Sequence, residues 1–213
     1  MAEFIITDFL TSILNTVAQS LLIPVIILLV IFIIIVLVEI GGLISEYRKR
    51  KTMTDNEIDD LVFDISKSTD KSHTDDLLRN VNLNDSYIEL LLKIHQANDL
   101  ETNTKEAYAR KIIDAQEFKM AKRVRITDIL TRVSSGCGLL GTLIPLGPGL
   151  ASLGTGDITT LSAQLIIAFN TTTVGLSTSL VSYVISKIRK SWYEEDMSTV
   201  YAIAEALSEK NYD

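Results

Sequence analysis

Two uncharged stretches separated by a very short turn constrain this chain more than any other feature. The first reads SSGCGLLGTLIPLGPGLASLG and the second LSAQLIIAFNTTTVGLSTSLVSYVI. No acid or base occurs between Val133 and Gly156, or between Ile158 and Ser186. Each stretch is long enough to cross a bilayer, whose hydrocarbon core takes about 20 residues of helix. Both nonetheless carry many Gly, Ser and Thr, which a helix facing lipid does not need. Small residues let helix backbones approach each other, and hydroxyls at membrane depth face another helix or a wet path. The hairpin from Thr131 to Lys190 therefore reads as packed and pore-lining.

A third apolar block, Leu21 to Val38, is dominated by Ile, Leu and Val. It has the surface of a lipid-facing helix. It is far longer than a signal-peptide core and lacks a basic segment before it, so it is expected to be an uncleaved membrane helix. The chain is 47% apolar, yet those residues gather in these three blocks while Lys49 to Arg125 is polar and charged. The fold class expected is thus all-α: a polytopic membrane protein with three transmembrane helices and long cytoplasmic helical extensions.

The expected organisation starts with an amphipathic interfacial helix over residues 1–16, with Phe4, Ile5, Phe9 and Ile13 on one face. Transmembrane helices are expected over 17–41, 130–155 and 158–188. A cytoplasmic helical insert fills 42–129, and a cytoplasmic C-terminal helix occupies 189–213. Bases gather at three membrane edges: Arg48 to Lys51, then Lys119, Lys122, Arg123 and Arg125, then Lys187, Arg189 and Lys190. Positive charge marks the cytoplasmic side, so the N-terminus is expected outside and the C-terminus inside. Trp192 and Tyr193 suit a membrane boundary.

In the insert, Thr54 opens a capping box with Glu57, ahead of Ile58, Leu61, Val62 and Ile65 at helical spacing. From Thr104 a helical pattern runs without Pro or Gly to Gly136, with Tyr108, Ile112, Phe118 and Met120 expected to pack on neighbours. Met197, Val200, Tyr201, Ile203, Ala204 and Leu207 continue the pattern beyond the last span. The net charge of −7 is concentrated as carboxylates in this insert, which argues against nucleic-acid binding. His73 and His95 stand alone and read as surface histidines, so no metal site is expected. No Ser/His/Asp set or phosphate-cradling Gly loop appears, and an enzyme is not expected; no cofactor is called for.

Candidate chemistry lies at mid-depth. GLLGT, Gly138 to Thr142, is followed by Pro145, Gly147, Pro148 and Gly149, which interrupt backbone hydrogen bonding. In the next span Asn170, Thr171, Thr172 and Thr173 lie near the middle, and Leu165, Ala168, Thr172, Gly175, Leu176, Ser179 and Tyr183 share a stripe. Hydroxyls can also bond back to their own helix, so close packing and an ion path are both open on these residues alone.

The order of the spans, the insert, and the motifs GLLGT and TTTVGL resemble the MotA/TolQ/ExbB proton channel family. The similarity covers about Gly136 to Tyr193. The resemblance implies a homo-oligomer, a pentamer, surrounding two copies of a small single-span partner of the ExbD/TolR/MotB kind. It implies that ion flow drives motion of or around that partner in the cell membrane. Thr142 and Thr172 match the family's path threonines, beside an aspartate from the partner, with Thr173 and Ser179 as further polar lining and Asn170 nearby. Glu39 matches a glutamate at the inner end of the first span, where an ion-handling role competes with a boundary residue reaching water. The sequence departs from ExbB and TolQ at Ile167, where those carry a glutamate. Neither span therefore offers a carboxylate, and sodium remains open beside the proton. The alternative reading is a non-conducting scaffold that recruits a cytoplasmic partner through the acidic insert.

Overall fold

A computed structural model describes residues 2–68, 70–97 and 102–209, with the side chains of 2–5 and 102–103 outside that description. Phe4 and Ile5, expected on the first amphipathic face, therefore lie outside the described side chains. The described residues form seven helices and no strand: α1 (Ala2–Ser20), α2 (Leu22–Lys49), α3 (Asp55–Lys67), α4 (Lys71–Arg79), α5 (Asp85–Gln96), α6 (Thr102–Leu153) and α7 (Ile158–Glu209). Three stretches are long and apolar enough to cross a membrane, Ile6–Lys49, Thr104–Leu153 and Ile158–Glu209. The chain is an all-α, multi-pass membrane protein. Between α1 and α2 the only interruption is Leu21. Pro24 has no N–H to give the Ser20 carbonyl, which is reason enough for a break there.

Two compact units result: Met1–Gly41 with Arg125–Ser186, and Gly42–Val124 with Lys187–Asp213. In the first, α2 buries Val25 and Leu29 with Cys137 of α6, against Phe32 and Val174. Most of α2 does the opposite. Ile23, Ile27, Ile34, Leu37 and Val38 are all more than half exposed, the surface a lipid-facing helix presents.

The second unit has an ordinary hydrophobic core. Leu61 and Ile65 of α3, Leu78 of α4, and Tyr87, Leu90, Leu91 and Ile94 of α5 close over Ala109, Ile113 and Met120 of α6 and Met197, Val200, Ile203, Ala204 and Leu207 of α7. The Thr54 amide donates to the Glu57 carboxylate at 2.7 Å, which closes the start of α3. Phe118 corrects the expectation for α6, being 64% exposed. The buried face runs through Ala109, Ile113 and Met120, and Phe118 lies about 160° round the helix from Met120. His95 is also corrected. It is buried on α5, with Nε2 3.3 Å from the Lys71 carbonyl and 3.6 Å from Asp75. Burial holds its imidazole below the usual histidine range, against the raising effect of both neighbours.

A polar centre holds the same unit together. Arg50 donates to Glu195 at 2.7 Å and to Asp196 at 3.0 Å, and the Tyr87 hydroxyl donates to Asp196 at 3.2 Å. Burial pushes the Asp196 carboxyl up despite Arg50, and burial followed by the Asp196 charge pushes the Tyr87 phenol up. Trp192 stacks on Tyr47 at 5.9 Å and lies 5.4 Å beneath Arg50, so it packs inside this unit. Glu46 accepts from Arg189 at 2.9 Å and from Arg123 at 3.2 Å.

Candidate ion path between two membrane helices

Within the first unit α6 and α7 meet backbone to backbone. A Cβ placed on Gly175 would lie 2.6 Å from the Gly138 Cα and 2.7 Å from the Ser134 carbonyl oxygen. One on Gly141 would lie 2.6 Å from Thr171. Only glycine permits this approach, and the approach is what brings two mid-span hydroxyls together. The Thr142 and Thr172 hydroxyls hydrogen-bond each other, and both face the Gly138 carbonyl, Thr142 at 2.9 Å and Thr172 at 3.4 Å. Both threonines are half-buried, so the pair is neither sealed nor turned wholly outward.

Ser179 lies seven residues beyond Thr172 on the same strip of α7. Its hydroxyl, half-buried, donates across to the Thr131 carbonyl at 2.7 Å. Thr173 and Asn170 are one turn apart on a different, exposed face and do not join Thr142 and Thr172. Glu39 is half-buried within α2, which continues past it to Lys49. α6 runs as helix through Pro145 and Pro148, which cannot donate to the carbonyls of Gly141 and Ile144. The turn that follows uses Gly156 at φ 73°, and Asp157 then caps α7. It accepts from the Thr160 hydroxyl at 2.5 Å and the Thr160 amide at 3.0 Å, and both hold its carboxyl below its ordinary value.

Thr171, read with its neighbours as a mid-depth residue, bonds back to Ile167 and Ala168, as packed hydroxyls do. Several other neighbours of this seam were not singled out from the sequence. Ser134 is fully buried but bonds back to Leu130. Ser182 is fully buried and its hydroxyl has no partner among the described residues. Ser186 is buried and donates across to the carboxylate of Asp128 on α6. The signal was available, because Ser182 and Ser186 extend the spacing of Thr172, Gly175 and Ser179 by one turn each.

The arrangement supplies oxygen donors and acceptors at bilayer depth with no titratable side chain at the Thr142–Thr172 level. That suits passage of a cation past polar walls, with any ionisable group at that depth supplied from outside the chain. No curated protein matches the chain. Residues 79–201, more than half of its length, match the family model described as the MotA/TolQ/ExbB proton channel family, and the chain belongs to that family.

Proposed function

We propose that this chain, a multi-pass membrane ion-channel subunit by its family, works as the conducting shell of a motor or energy-transducing complex. Five copies surround two copies of a small single-span protein of the ExbD/TolR/MotB kind. That partner supplies an aspartate facing Thr142 and Thr172, and a proton, or sodium, crossing there turns or shifts one part against the other. The complex sits in the cytoplasmic membrane with the N-terminus outside and the C-terminus inside. The observation that carries the reading is the mutual bond of the Thr142 and Thr172 hydroxyls at the glycine contact, half-buried and without a carboxylate of their own. Thr173 and Asn170, on another exposed face, serve a neighbouring copy or the partner rather than the same pair.

Native mass spectrometry of the complex from its own membrane tests the assembly. Five copies of this chain with two of a single-span protein is the expected mass. The chain recovered without any small membrane partner contradicts the motor. The scaffold reading draws on the same Gly138–Gly175 contact, which would serve packing alone. It expects no ion flux.

A further inference from the structure

The seam between α6 and α7 does not stop at the threonine pair. On α7, Thr172, Ser179, Ser182 and Ser186 fall on one strip, about 20 Å long from first to last at about 1.5 Å per residue. That is about two-thirds of a hydrocarbon core about 30 Å thick. Two of these residues reach across to α6, Ser179 to the Thr131 carbonyl and Ser186 to Asp128. Ser182 lies between them, completely buried, with an unpartnered hydroxyl on the face where its neighbours meet α6. A buried hydroxyl without a partner is costly unless water reaches it, and a serine can both donate to and accept from one water.

Asp128 ends this strip. In the first unit the carboxylates of the sequence are Glu3, Asp8, Glu39, Asp128 and Asp157, and only Asp128 bonds across the α6–α7 seam among the described contacts. It is exposed in the single chain, beyond the uncharged stretch of the span. Arg125 and Arg132 stand within about a turn of it on α6, both exposed.

We propose that Asp128 is the cytoplasmic-end proton acceptor of the path, reached from the Thr142–Thr172 pair through water held at Ser182. This rests on the channel reading and on the orientation given with it. The proton arriving along the seam forms an O–H bond with the Asp128 carboxylate. That bond then breaks as the proton passes to bulk water, and the carboxylate is restored with Ser186 still donating to it. No other co-reactant is needed.

The test is proton flux into liposomes holding the purified complex under an imposed pH gradient, read with an entrapped pH dye. Asp128→Asn keeps an oxygen that accepts from Ser186 and removes only the titratable group. It is expected to lower flux tenfold or more, while Asp128→Glu retains most of it. Ser182→Ala is expected to lower flux severalfold with an unchanged or raised melting temperature, because it removes an orphaned polar atom from the interior. Asp128→Asn and Ser182→Ala conducting at the wild-type rate, while Thr172→Val does not, overturns the exit assignment and leaves the channel standing. Absence of flux from the wild-type complex overturns both.

Discussion

Gly175 is the position where a single added carbon does most. Its Cβ would meet the backbone of Gly138 and Ser134, and backbone cannot rotate away as a side chain can. Gly175→Ala is expected to part α6 from α7 at a cost of about 1–3 kcal/mol, in the range of other overpacked sites, and to lose the Thr142–Thr172 bond. A lower melting temperature in detergent, together with lost flux, is the expected outcome; an unchanged melting temperature contradicts the close contact. His95 carries a different prediction. Burial lowers its folded-state pKa, so as pH falls through about 6.5 the unfolded chain takes a proton that folded His95 refuses. Its contribution to stability is therefore complete above that pH and is lost on acidification. Trp192, the only tryptophan, lies in the same unit and reports unfolding by its fluorescence. His95→Gln is expected to flatten the loss of stability between about pH 7 and 5, and identical slopes for the two proteins contradict it.

At the scale of elements, the second unit depends on a buried charge linking α5, the end of α2 and α7. Asp196 is 7% exposed and Arg50 16%. Removing Arg50 leaves a buried carboxylate with only Tyr87 as donor, so Arg50→Ala is expected to cost about 3 kcal/mol, while the paired change Arg50→Met with Asp196→Leu recovers most of it. Additive losses in the double variant contradict that coupling. This network was not legible in the sequence, since Arg50 counted there as one of four membrane-edge bases and nothing pointed to a carboxylate 146 positions away. Elements with a strict period were legible. The apolar spacing of Met197, Val200, Ile203, Ala204 and Leu207 corresponds to the buried face of α7, while Tyr201, expected with them, is 43% exposed; Thr172 with Ser179 corresponds to its polar strip. Phe118 misled because an aromatic residue weighs heavily in a sequence pattern even when its angle on the helix is wrong. Asn170 and Thr173 lie close to Thr172 in sequence but on another, exposed face, because a helix separates adjacent positions by about 100°. Asp128 escaped notice because it lies just outside the uncharged stretch that drew attention to the span.

At the scale of the molecule, three apolar spans, bases at their edges and a helical insert between the first two were all readable from composition along the chain, because a bilayer leaves few ways to satisfy a backbone. What the sequence could not carry is anything made by more than one chain: the copy number, the partner and the group that titrates beside the threonines. Those are proposals, supported by family membership and by a polar seam that lacks its own acid at mid-depth. The central claim is that a cation passes beside the hydroxyls of Thr142 and Thr172. Ion flux through the purified complex in liposomes, measured for the wild type and for Thr142→Val and Thr172→Val at matched assembly, tests it most directly. Flux in the wild type with a loss of tenfold or more in each valine variant is the expected result, and valine variants that conduct as the wild type does contradict it.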